Sequence, residues 1–182
     1  MQPIDLILDD PVYAAIVVLA VRAILAYQRG LTYTEYRAIH RLKRRWFPLL
    51  GPPFIHEKGG TEDAEYLTTV DMGPRALMAR LTAGDGSPHL VNSVKVRTTD
   101  GAVSRVHVVW RVGGGMQVEA YAFENPDGTM DVYAHLEPSV LRLRAHLDGS
   151  KQVDGDPRGV VSAALASAES PENSPDSNRA GR

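Results

Sequence analysis

The sequence predicts an α+β protein: an N-terminal pair of helices, then an antiparallel β-meander of about four strands packed with two short helices, then a disordered C-terminal tail. Three observations predict it. Residues 1–50 carry helix-start signals and helical periodicity, and that pattern breaks at FPLLGPPF and EKGG. From residue 90 to 136 apolar and polar residues alternate with period two, in runs separated by DGA, GGG and NPDG, which are hairpin-turn sequences. Residues 148–182 are rich in Ser, Pro, Asp, Asn and Gly, so they lack the apolar surface needed to offset ordering entropy. The chain therefore divides into an apolar helix plus a basic amphipathic helix (1–50), a Pro/Gly linker (51–60), an α+β unit (61–147) and a tail (148–182).

The first helix starts at Asp9 or Asp10 as cap, with Pro11 at the first helical position. From Val12 to Tyr27 every residue is apolar or aromatic except Arg22. On an insertion scale its eight Ile, Leu and Val residues contribute about −3 kcal/mol, and a central Arg costs roughly 2.5–3.5 kcal/mol. The two nearly cancel, so the run sits at the margin of a membrane span. The flanks add direction. Asp5, Asp9 and Asp10 precede the run, and six bases (Arg29, Arg37, Arg41, Lys43, Arg44, Arg45) follow it against one acid, Glu35. Positive charge collects on the cytoplasmic side of a span, which would place the N-terminus outside and the rest of the chain in the cytoplasm.

The second helix opens with a capping box, Thr32-Tyr33-Thr34-Glu35. Tyr36, Ile39, Leu42, Trp46 and Phe47 gather on one side of its wheel, and Arg37, Arg41, Arg44 and Arg45 on the other. Such a helix suits an anionic lipid surface, and clustered arginines also suit a phosphate backbone. The candidate membrane- or phosphate-binding set is Arg37, Arg41, Arg44, Arg45 and Trp46.

In the α+β unit, Tyr66–Met72 reads as a strand and Arg75–Thr82 as a short helix. Four alternating runs follow: Leu90–Thr98, Val103–Val112, Met116–Glu124 and Met130–Leu136. A second short helix is expected at Pro138–Leu147, and Val160–Ala168 in the tail allows another. The alternation places Val94, Val96, Val106, Val108, Trp110, Val118, Ala120, Ala122, Val132, Ala134 and Leu136 on the core face. The opposite face carries bases and aromatics, expected to be solvated or to bind a ligand. Its candidate ligand residues are Lys95, Arg105, His107, Glu119, Tyr121, Tyr133 and His135.

The absence of cysteine excludes a disulfide framework, a thiolate metal site and a cysteine nucleophile. The six histidines show no ligand spacing, so neither a metal nor a cofactor is expected. GGG at Gly113–Gly115 lacks the Lys-Ser/Thr and the helix of a phosphate-binding loop. No catalytic motif is present, which weighs against an enzyme. The first functional expectation is a membrane-associated protein with a cytoplasmic α+β interaction module and a protein partner. The second is a soluble binding protein, both helices packed on the sheet, using its basic helix or sheet face for nucleic acid or protein. The third is an unmarked enzyme with Glu119, His107 or His135 as acid/base groups.

Overall fold

The computed structural model describes residues 11–50, 63–83, 85–90, 95–97, 99–140 and 156–167. Helix α1 (Pro11–Tyr27) runs through a 3-10 turn at Gln28–Gly30 towards α2 (Tyr33–Leu50). The capping box closes as expected. Thr32 donates from its N–H and Oγ1 to Glu35 Oε2 at 2.9 and 2.7 Å, and Glu35 N–H donates back to Thr32 Oγ1 at 3.4 Å. Side-chain and then backbone hydrogen bonds from Thr32 hold the Glu35 carboxyl below its usual pKa.

The sheet has five antiparallel strands in the order β1-β5-β4-β3-β2. They are β1 (Tyr66–Val70), β2 (Ser87–Pro88), β3 (Val106–Gly113), β4 (Met116–Glu124) and β5 (Met130–Pro138). The β3–β4 turn uses Gly113, Gly114 and Gly115 at φ of 89°, 57° and 74°, a left-handed run that side chains resist. Helix α3 (Pro74–Ala83) presents Leu77, Met78 and Leu81 to the sheet, and α4 (Pro157–Ser167) presents Val161 and Ala164. Between them lies the core: Val106, Val108 and Trp110 from β3, Val118, Ala120 and Ala122 from β4, and Val132, Ala134 and Leu136 from β5. This is the face the alternation assigned to the interior. The chain returns from α3 to β2 very close to the sheet. A Cβ on Gly86 would sit 2.2 Å from the Leu81 carbonyl oxygen and 2.8 Å from Val108 Cγ1.

Three expectations change. Among the described residues Leu90–Thr98 contributes only an isolated bridge, Val96 to Val103, with 91–94 and 98 outside the description. The place beside β3 goes to Ser87 and Pro88, paired with Val109 and Val108. The physical reason is charge: Lys95 and Arg97 are held over the sheet face by ion pairs to Glu119 and Asp131, so this segment crosses the face and does not extend the edge. Pro138 ends β5 and does not start a helix, and 141–147 lie outside the description. The tail, expected to be disordered save for a helix allowed at Val160–Ala168, forms that helix as α4, packed on the sheet. There Gly159 N–H donates to Asp156 Oδ1 at 2.9 Å, Pro157 opens the helix and Val161 is fully buried. The linker (51–60), the residues before Pro11 and the tail beyond Ser167 are outside the described residues.

Among the described residues no α1 side chain belongs to this core. Val12 and Leu19 are 65% and 66% exposed, and Ile16, Ile24 and Tyr27 are exposed as well. Among the described residues no helix is long and apolar enough to cross a membrane.

Candidate functional site

The sheet register places the chemistry. His107 pairs with Tyr121 and Tyr121 with Tyr133. Val109 pairs with Glu119 and Glu119 with His135. These rows follow from counting outward from the hairpin turns. Their surroundings do not: the face is enclosed, with His107, Glu119, Tyr121, Tyr133, His135 and Lys95 all buried. Bases stacking on this face as it lies could not reach Tyr121 or Tyr133.

Two covers enclose it. The Lys95–Ser104 segment folds over one side, with Lys95 Nζ 5.1 Å from the Tyr121 ring centroid and the Arg97 guanidinium 5.5 Å from that of Phe123. Arg97 is fixed there by Asp100 at 2.7 Å, Asp131 at 2.8 Å and Asn125 at 2.8 Å. Helix α2 covers the other side. Tyr36 and His40 lie one turn apart on its inner face, the His40 ring sits 5.5 Å from the His107 ring, and Arg37 donates to the Ser104 carbonyl at 3.3 Å. Leu42, which shares the apolar side of the wheel with Tyr36, is 58% exposed; it falls off the Tyr36–His40 face, and the histidine takes the buried place.

Glu119, in the middle of β4, is the centre. Its Oε1 lies 3.1 Å from His107 Nδ1 and 3.4 Å from His89 Nδ1. Its Oε2 lies 3.2 Å from Lys95 Nζ and 3.1 Å from His135 Nε2. A second layer surrounds this. His135 Nε2 is 3.4 Å from Glu137 Oε2, and His135 Nδ1 is 3.5 Å from Glu65 Oε2. Gln117 donates to Glu137 at 2.7 Å, the Tyr121 hydroxyl donates to Glu65, and Ser104 Oγ hydrogen-bonds His107 Nε2.

Protonation follows from these neighbours. Burial raises the Glu119 pKa, but Lys95 and then the imidazoles outweigh it and hold the carboxyl well below its usual range. Burial pushes His107 down to about 4, so at neutral pH its ring is uncharged. With Glu119 ionised, Nδ1 carries the hydrogen and Nε2 accepts from the Ser104 hydroxyl. Burial also opposes charge on His135, yet the carboxylates of Glu119, Glu137 and Glu65 hold it up near 10, which makes it an imidazolium. Desolvation works against Lys95 too, and Glu119 more than restores it. Burial, then the bond to Glu65, pushes the Tyr121 hydroxyl up, so it stays a donor. Ser104, His107 and Glu119 stand in the order of nucleophile, base and orienting carboxylate. All three are buried, so in this conformation the line is a hydrogen-bond relay that fixes the His107 ring.

Of the sequence candidates, the structure gathers Lys95, His107, Glu119, Tyr121, Tyr133 and His135. Arg105 stays outside, paired with Glu124 at 3.0 Å. On α2, Arg41 and Arg45 are exposed and Arg37 is half-buried; the side chains of Arg44 and Trp46 lie outside the description. All four described histidines, His40, His89, His107 and His135, are buried in or against this cluster. Sequence reasoning missed His40, Glu65, His89, Ser104 and Glu137. Two had a signal: His40 follows Tyr36 by four on a helix, and Glu137 continues the alternation Tyr133, His135. His89, after the turn GDGSP, had none. A cleft of about 250 Å³ lined by Gln28, Arg29, Asp85, Ser87, Val109 and Arg111 includes none of the cluster's carboxylates or imidazoles. No protein-family model, curated protein or solved structure matches the chain.

Proposed function

We propose that the chain is a membrane-attached protein: α1 buries in lipid, the basic face of α2 lies against an anionic leaflet, and the α+β unit works as an interaction module at that surface. The carrying observation is the exposure of the described apolar side chains of α1. Helices that are apolar all round are normally buried, and each exposed Val, Leu or Ile forgoes about 1.5–3 kcal/mol available on burial. Val12, Ile16, Leu19 and Ile24 are exposed together, on a helix that leads within a few residues to α2. At 17 residues α1 is about 25 Å long, short of a hydrocarbon core of about 30 Å. That length suits a helix that inserts with Arg22 reaching back to the headgroups. Exposed Arg41 and Arg45 on α2 supply the attraction to anionic lipid.

The test is flotation of the full chain with vesicles of neutral lipid and of neutral plus anionic lipid. Co-flotation that is stronger with anionic lipid and survives high salt is expected. A chain that stays in the aqueous fraction with both would sink the proposal. A chain that forms a defined oligomer and does not float would assign α1 to self-association.

A further inference from the structure

We propose that the buried cluster is a binding site for one divalent transition-metal ion of zinc-like character, held by His89, Glu119, Glu137 and His135. It is independent of how the chain attaches to a surface. The first observation is convergence. One ligand atom each from His89, Glu119 and Glu137 lie within 4.8 Å of one another, about the spread of donors around a metal ion. His135 Nε2 falls between the two carboxylates, 3.1 Å from Glu119 Oε2 and 3.4 Å from Glu137 Oε2. Donors bound at about 2.0–2.2 Å around one ion stand about 3–3.6 Å apart, and His135 Nε2 already stands in that range from both carboxylates.

The second observation is independent of distance. The His135 ring is 5% exposed and aimed into the carboxylates, yet neither of its nitrogens makes an aligned hydrogen bond, and nor does His89 Nε2. Buried imidazoles are normally satisfied. The two nitrogens of His135 instead lie 3.1–3.5 Å from three carboxylates, so the ring stands among the oxygen donors an ion would share. Charge agrees. Among the described residues three carboxylates, Glu65, Glu119 and Glu137, converge here, and Lys95 is the one lysine or arginine facing Glu119. Lys95 and the His135 imidazolium balance two of these carboxylates, and an ion bound through His135 displaces that ring's proton, so the divalent charge takes the imidazolium's place.

The donor set selects the ion. Two imidazoles with two carboxylates and no thiolate suit Zn(II), Mn(II) or Fe(II), and disfavour Cu(I). Ca(II) and Mg(II) prefer oxygen-only shells. The supporting shell is also present: Gln117 donates to Glu137 Oε1 at 2.7 Å, and His107 orients Glu119.

The experiment uses the full chain without a histidine tag, stripped with chelator, in lipid or detergent as its surface requires. Titration with Zn(II) alone, followed by calorimetry, should show about one equivalent. Co(II) should give the visible absorption of a four- or five-coordinate site, which Mg(II) does not displace. His89→Gln and Glu137→Gln should each weaken Zn(II) by at least about a hundredfold, the upper end of what losing an outer-shell partner costs. Asp127→Asn, in an exposed turn, should bind as the parent does. The Co(II) spectrum of the parent needs no variant, so it decides even if a variant misfolds. No stoichiometric binding, several weak equivalents, displacement by Mg(II), or full affinity in the folded variants would each overturn the site.

Discussion

α1 and the Glu119 cluster reverse the usual placement of residue types. α1 holds Val12, Ile16, Leu19 and Ile24 outside, while the cluster holds Glu119, Lys95, His107 and His135 inside. An apolar helix left in water forgoes burial energy, and a buried charge without partners costs several kcal/mol. The two regions answer this differently. The cluster is closed on itself: Glu119 is met by a lysine and three imidazoles, so its charges are matched within the chain. α1 carries few polar side chains to satisfy, and Val12, Ile16, Leu19 and Ile24 are left exposed with no such internal match. One region should therefore dominate stability and the other association.

The strongest way to break that division is at Glu119. Glu119→Leu should lower the unfolding free energy by about 3–5 kcal/mol in urea titrations with chelator present, because it leaves Lys95 and the His135 imidazolium buried without their partner. Adding Lys95→Met should recover much of the loss, since a buried pair replaced by apolar residues is often neutral. A double variant as weak as the single one would show that the imidazoles, more than Lys95, depend on Glu119.

The next effect should fall on association alone. Leu19→Asp places a carboxylate in the middle of α1, a change of roughly 2.5–3.5 kcal/mol against insertion, or about a hundredfold in vesicle binding. The unfolding free energy from urea titration should not change by more than about 0.5 kcal/mol, as Leu19 is exposed. A large loss of stability would mean α1 packs against the domain, and the contrast between the regions would disappear.

The same contrast explains what could be read in advance. Periodicity reports which side of an element a residue faces, so the core face and the rows through Tyr121 and Glu119 were legible from alternation and the glycine turns. Periodicity does not report what covers a face. A polar face reads as solvated, and here it was closed by Lys95, Arg97 and the Tyr36–His40 side of α2 through long-range contacts with no local trace. β2 was missed for a related reason: a two-residue strand has no period. His89 joins Glu119 across 30 residues of chain, a separation no spacing rule reaches.

A smaller effect should appear where the two regions meet. Thr32 caps α2, which carries Tyr36 and His40 inwards onto the cluster. Thr32→Ala should cost about 1 kcal/mol of stability and speed amide exchange in the first turn of α2. Exchange in α1 should not change, because the cap follows that helix. Faster exchange in both helices would show that they open as one unit.

The smallest effect tests the basic face of α2. Arg41 is exposed, and its Nε donates to the Arg37 carbonyl at 3.4 Å in its own helix. It touches no other element in that bond, so Arg41→Gln should leave the urea midpoint in place. Near an anionic leaflet one arginine contributes about 1 kcal/mol, which is about fivefold in binding. Vesicles containing anionic lipid should therefore bind the variant about fivefold less, and neutral vesicles should bind it as they bind the parent. Raising salt should shrink the difference, because the attraction falls off within a Debye length of about 8 Å at physiological ionic strength. An equal loss on neutral and anionic vesicles would assign Arg41 to positioning α1, and the charge of α2 would then have no part in choosing the surface.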